Sequence, residues 1–375
     1  MFQIAKLRVV GIVVGYAAVA VFLSLAVGLW NPGWNPFSAS TSKGTDIVVN
    51  AVSKAIEGSK SLQLNLLLEI EADAKMSALS TGDNQYKNIK IGLDLKNQID
   101  KSNSKKIKTL SQINLGMQAE GVSMSGDLEM RDVGDSLYLK IVSLPPFLPL
   151  PASLEQLKGQ WIKMSLGDLQ KKLAASGLQM ASADLGEYQA VLKGLKEIAK
   201  GKNFFEIKKR WGQEDMAGAK AERYTVALNK KAIKDFVPDY LDLAKKYVPE
   251  DQRAEAEKQA LEIKSDFAKN FEQYWAAIGG LTFDIWVDKA SGRMVRFVWE
   301  KEIDPAQLSK ALQESEGVSQ QEIKTMKIKV DFNLSRFNES FEIAEPTEFI
   351  TAEKALGSLV QQFASSTLSG EGQQK

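Results

Sequence analysis

The chain contains no cysteine and no histidine in 375 residues. Without cysteine there is no disulfide framework, no thiolate metal site, no cysteine nucleophile and no acylated cysteine anchor. The lack of histidine reaches further. Histidine is the usual general base near neutral pH and the commonest metal ligand, so Ser-His-Asp catalysis, Cys-His catalysis and ordinary zinc sites are all excluded. An excess of one charge is missing too: 48 Lys and Arg stand against 47 Asp and Glu, a formal net charge of +1. No global field steers such a chain toward nucleic acid, and no nucleic-acid partner is expected. EF-hand spacing and a Gly-rich phosphate loop are also absent. The chain therefore reads as a non-enzyme with no cofactor and no metal site.

What is present is the composition of a globular protein, 44% hydrophobic and 25% charged, behind one long apolar run. Val9 to Trp30 carries no charge. As a helix it would be about 33 Å long, enough to cross a hydrocarbon core of about 30 Å. Trp30 and Trp34 stand where an interfacial aromatic belt would lie. Lys6 and Arg8 precede the run, so the positive-inside rule places residues 1–8 in the cytoplasm and the remainder outside, at the cell membrane. The alternative is a cleaved signal peptide. Against it, the run is long and ends in Leu29-Trp30-Asn31-Pro32, a poor cleavage context, with Ser38-Ala39-Ser40 more distant. Residues 31–44, rich in Pro, Gly and Ser, read as a linker.

From residue 45 the pattern is that of a folded domain. Ile47, Val48, Val52, Ala55 and Ile56 predict an amphipathic helix. Leu62, Leu64, Leu66, Leu68, Ile70, Ala72 and Ala74 then alternate with mostly polar neighbours, the signature of a long strand with one wet face. The same alternation recurs through residues 89–95, 113–119, 122–130 and 137–141, with short turns between them, which implies an antiparallel meander. Four prolines in Leu144–Pro151 interrupt it. A strand at 159–164, a helical stretch at 167–200 and strands at 204–211 and 221–228 follow. Residues 230–276 read as helix divided near Pro238 and Pro249, with Leu261, Ile263, Phe267, Phe271 and Tyr274 for burial. Strands at 281–287, 294–300 and 326–334 close the domain. The fold class is α+β: about eleven strands in one large antiparallel sheet, its single apolar face covered by helices. A C-terminal helix and disordered tail take up residues 351–375.

Three patterns occur in order along this domain. They are Gly134-Asp135-Ser136-Leu137-Tyr138-Leu139-Lys140 with Gly159-Gln160-Trp161-Ile162-Lys163-Met164; Phe283 to Arg296 around the turn Asp288-Lys289-Ala290-Ser291-Gly292; and Phe337 to Ile343 followed by Glu345-Pro346. Together they resemble the LolA/LppX-like superfamily of bacterial extracytoplasmic carriers, over roughly residues 45–350. The resemblance implies a strongly curved half-barrel closed by helices, with an apolar cavity that holds a lipid or lipoprotein. The chain departs from that pattern in lacking the lipobox cysteine, whose place the apolar run takes, and in its large helical insertions.

Candidate ligand-contacting residues follow. Leu64, Leu66, Leu68, Leu93 and Leu115 line the apolar strand face, and Phe147, Leu148 and Leu150 form an apolar lip in the proline loop. Periodicity alone leaves open whether such stripes bound a cavity or a filled core. Lys208, Lys209 and Arg210 beside Trp211 are either a headgroup contact or a solvated strand end. Asp284, Asp288 and Asp304 are either a carboxylate site or surface charge. The functional expectation is a membrane-tethered extracytoplasmic binding protein for a lipid or other apolar ligand. The alternative is a structural or regulatory envelope protein with a filled core and a protein partner.

Overall fold

The computed structural model describes residues 43–56, 58–75, 86–103, 106–119, 122–134, 136–144, 152–165, 194–195, 197–216, 219–248, 250, 253–277, 280–303 and 323–355. The expected span 9–30, the proline loop with Phe147, Leu148 and Leu150, most of 167–200, Asp304 and everything beyond 355 lie outside them. Among the described residues no helix is long and apolar enough to cross a membrane.

The elements are α1 (Lys43–Ile56), β1 (Ser61–Lys75), β2 (Tyr86–Asp100), β3 (Lys108–Ala119), β4 (Val122–Val133), β5 (Ser136–Ser143), α2 (Ala152–Leu157) and β6 (Trp161–Ser165). After them come β7 (Phe205–Met216), β8 (Ala219–Leu228), α3 (Lys230–Ala244), α4 (Arg253–Ala277), β9 (Thr282–Asp288), β10 (Met294–Ile303), β11 (Ile323–Ser335) and β12 (Ile350–Thr351). The fold is α+β. Twelve strands hydrogen-bond in the order β12-β6-β5-β4-β3-β2-β1-β11-β10-β9-β8-β7.

Two expectations need correction here. The sheet has twelve strands rather than about eleven, and it is mixed rather than purely antiparallel, because β12 pairs parallel to β6 through Ile350–Ile162 and Thr351–Lys163. The extra strand is two residues long, too short to carry a period.

The described residues group into two compact units: those within 1–59, 70–88 and 183–331 form the first, and those within 60–69, 89–182 and 332–375 the second.

In the first unit, helices cover the apolar sheet face. On α1, Val48, Val49, Ala51, Val52, Ala55 and Ile56 are all 5% exposed or less, as i, i+3, i+4 spacing requires of a core-facing stripe. Gly58 ends the helix: a Cβ there would lie 2.7 Å from the Lys54 carbonyl oxygen, so only glycine fits. On α3, the Asn229 side chain accepts from the Ala232 N–H at 3.0 Å, a regular N-cap. This helix runs straight through Pro238 and does not divide there. Proline removes one backbone donor, but Ile233, Val237 and Leu241 bury one continuous face on both sides of it. On α4 the buried apolar residues are Ala260, Phe267 and Phe271, with the two phenylalanine rings 5.0 Å apart. Leu261, expected in this core, is 66% exposed. From the sheet, Phe205, Val226, Phe283, Ile285, Met294 and Phe297 are buried.

Candidate functional site

The second unit holds the described leucines selected from sequence. Its strands pair in unbroken register from β2 to β4. Leu93 faces Leu115, Leu95 faces Ile113, and Ile91 faces Met117. Ile113 in turn faces Leu128, and Met117 faces Met124. Leu128 then meets Ile141, and Met130 meets Leu139. Directly opposite residues of an antiparallel pair share a face, so these side chains form one apolar surface. On β1, Glu69 pairs with Lys90 at 2.8 Å and Gln63 accepts from Gln98 at 3.4 Å. These polar contacts occupy the other face, which leaves Leu64, Leu66 and Leu68 on the apolar one.

This surface is only partly covered. Ile91, Leu115 and Val122 are 46%, 49% and 49% exposed. Leu66, Leu68, Leu93, Leu95, Ile113, Met117, Met124 and Leu128 are half-buried. At the β6 margin, Ile162 packs with Leu157 of α2 and with Ala355, flanked by Met164 and Ile350. At the opposite end of the strands the surface closes: Leu62, Leu64, Asn97, Ile99, Thr109 and Ser111 are all buried.

The reverse face of the same strands is polar and largely paired within itself, although the buried Arg131 Nε has no hydrogen-bond partner. Asp127 accepts from Asn114 Nδ2 at 2.7 Å and from the Ser143 hydroxyl, and these bonds, Asn114 first, hold its carboxyl below the usual range. Glu129 sits between Arg131 at 3.0 Å and Lys140 at 2.9 Å. Burial pushes its carboxyl upward, but the two cations outweigh that and hold it low. Both cations lie over the Trp161 ring, at 4.5 and 4.6 Å. Tyr138 is fully buried, its hydroxyl donating to Glu345 at 2.6 Å. One apolar and one polar face thus come from a single alternating pattern, and the apolar one offers contact area for a nonpolar partner.

The clusters in the first unit have other roles. Asp284 accepts from Arg223 at 2.5 Å and from the Thr225 hydroxyl at 2.6 Å. Arg223 lies over both Trp211 and Trp286, Arg296 also lies over Trp286, and Arg296 is held by Asp331. This Trp–Arg ladder was missed in the sequence because its members are scattered over five strands. Asp288 organises its turn, accepting from the Ser291 N–H at 2.9 Å, while Gly292 takes φ of 66°. Lys208 pairs with Glu206 and Arg210 with Glu222, and Lys209 lies over Trp211. The Arg210 contact draws the Glu222 carboxyl down to about 2. Among the described residues no three carboxylates gather as a metal site would require.

A separate recess of about 620 Å³ is lined by Lys208, Lys230, Lys231, Lys234, Glu206 and Glu272, with Trp275. Lys230 and Lys234 both pair with Glu272. Its lining also includes Ala227, Leu228 and Leu281, so it mixes charged and apolar side chains.

No family model and no curated protein matches the chain. Among solved structures the chain is similar to the Mycobacterium tuberculosis lipoprotein LppX, with 12% identity, 80% of this chain and 97% of that chain covered, and a TM-score of 0.29. It is also similar to LprF from Mycobacterium bovis, with 12% identity, 82% of this chain and 99% of that chain covered, and a TM-score of 0.33.

Proposed function

We propose that the chain is a membrane-tethered extracytoplasmic binding protein for a lipid or other apolar ligand, and that the apolar face of β2 to β5 is its contact surface. One observation carries the reading: Ile91, Leu115 and Val122 stand near half exposure toward one end of a largely apolar sheet face. A contiguous exposed apolar surface of this kind marks a binding site more often than an idle patch. The tether is supported by the uncharged run from Val9 to Trp30 behind Lys6 and Arg8. The function is non-enzymatic, a reading supported by the lack of both histidine and cysteine.

The test is lipid extraction and mass spectrometry of the full-length chain, next to a Leu115→Arg variant. Co-purifying lipid that is depleted several-fold in the variant supports the reading. Equal lipid in both, or none above a control membrane protein, counts against it. The second reading, a structural or regulatory envelope protein, draws on Trp211, 50% exposed on the sheet-edge strand β7. It predicts instead a stable protein partner cross-linked through β7 and no specific lipid.

A further inference from the structure

The recess of the first unit is open and carries an excess of positive charge. Lys208 of β7 and Lys230, Lys231 and Lys234 of α3 line its volume of about 620 Å³, against Glu206 and Glu272. All four lysine side chains are 44% exposed or more, so a ligand entering from solvent reaches them. Their acidic partners are thinly spread. Lys230 and Lys234 share Glu272, Lys208 pairs with Glu206, and Lys231 pairs with Asp235, which is not part of the lining. Exposed pairs of this kind are weak, and an incoming anion displaces them with little loss. Local structure does not call for these cations. Between the pairs Ile207–Val226 and Lys209–Thr225 the register shifts, leaving Lys208 as a bulge residue beside Glu206, at 2.6 Å. Lys230 and Lys231 occupy the first turn of α3, where positive charge opposes the helix dipole. The lining also has an apolar part: Leu228 and Leu281, 6% and 7% exposed, with the half-buried Trp275.

We infer that this recess binds an organic phosphate: a phosphoryl group carrying a ring or a short apolar part, presented by a lipid head group or as a free ester. It is a second site, and it does not depend on the apolar-ligand reading above. The lysines select the phosphoryl group. A phosphate ester offers up to two negative charges and several acceptor oxygens, which lysines from two elements meet together. A carboxylate has a single charge and leaves most of them unused. The size and the apolar part select the ester. Inorganic phosphate fills only a small share of about 620 Å³ and leaves Trp275, Leu228 and Leu281 without a partner, whereas volumes of this order suit a small organic ligand.

The test uses the full-length chain in phosphatidylcholine vesicles with phenyl phosphate, inorganic phosphate and phenol as probes. Binding is measured by equilibrium dialysis, and lysine methylation located by mass spectrometry reports the site. Phenyl phosphate should bind saturably, at least about fivefold more tightly than either other probe. It should protect Lys208, Lys230, Lys231 and Lys234 from methylation and leave the exposed Lys289 reactive. The double variant Lys230→Gln/Lys234→Gln should weaken binding about tenfold or more, the effect of one charge-assisted hydrogen bond. Lys289→Gln should change nothing, and Trp275→Leu should abolish the preference for phenyl phosphate over inorganic phosphate. A further arm places phosphatidic acid in the vesicles, with oleate at equal charge as the control. Displacement of phenyl phosphate by phosphatidic acid alone supports a lipid head group as the source, and undiminished binding supports a free ester. Absence of saturable binding, phenol or inorganic phosphate bound as tightly as phenyl phosphate, or protection spread equally to Lys289 overturns the site. The methylation pattern of the unmodified chain decides the matter even if a variant fails to fold.

Discussion

The two units use the same alternating strands and treat the apolar face in opposite ways. In the first, Phe283 and Ile285 of β9 are 6% and 0% exposed, in a core that also contains the apolar stripes of α1, α3 and α4. In the second, Ile91 of β2 and Leu115 of β3 occupy equivalent phases of the pattern and are 46% and 49% exposed. Alternation decides which side of a strand is apolar. What covers that side is decided by residues elsewhere in the chain: among the described residues the long helices α1, α3 and α4 belong to the first unit, and the second has the short α2 at its β6 margin.

The comparison is tested most severely in the cores. Phe271→Ala removes a ring packed between Phe267 at 5.0 Å and Trp275 at 5.8 Å, and should cost about 3–5 kcal/mol in urea unfolding. Leu115→Ala should cost less than about 1 kcal/mol. Equal losses would mean that the second unit is packed like the first.

On the outer face of the first unit, Asp284→Ala should cost roughly 1–3 kcal/mol, because Arg223 and Thr225 both lose a charged partner. Breaking the exposed Lys208–Glu206 pair should change stability by no more than about 0.5 kcal/mol. A double-mutant cycle between Arg223 and Asp284 would show whether the ladder acts as a unit.

Acid should act with opposite sign on two carboxyls, one in each unit. Glu222 is held at about 2, below the ordinary 4.5, chiefly by Arg210. A lowered carboxylate contributes stability above its unfolded pKa, so this contribution disappears as pH falls from about 4.5 to about 2. Asp132 behaves oppositely. Its carboxyl is raised by burial from 3.8, so its protonated form favours the folded state at low pH, and that contribution is lost as pH rises through the folded value. Thermal melts from pH 2 to 7 should therefore show Asp132→Asn gaining stability near neutrality and Glu222→Gln losing it there. The Glu222 effect should be the smaller, because solvent screens its pair with Arg210.

Much of this fold was legible in the sequence, since period-two patterns mark most of the strands, though not β12. Two residues, Ile350 and Thr351, cannot show a period. Pro238 misled because a helix-breaking residue was outweighed by burial of Val237 and Leu241 on one face. Leu261 misled because the α4 stripe runs through Ala260, Phe267 and Phe271 and leaves Leu261 just outside it. Of the candidate site, Leu64 proved buried, Leu66, Leu68 and Leu93 half-buried and Leu115 exposed. Nothing in the alternation itself distinguishes these positions. The polar residues Asn97, Thr109, Ser111 and Asp132 did leave a signal, each interrupting an otherwise apolar phase of its strand. That signal becomes readable only when register brings the four interruptions to one end of the face.

The lack of native cysteine allows a direct test of the open face. In the full-length Leu115→Cys chain, the rate of thiol alkylation can be followed in phosphatidylcholine vesicles with and without monooleoylglycerol, with Ile285→Cys as the buried control. An open face that binds an apolar ligand predicts fast reaction at position 115, slowed about tenfold or more by the added lipid, and negligible reaction at 285 throughout. Reaction at 115 as slow as at 285, or equally fast with and without the lipid, would contradict it.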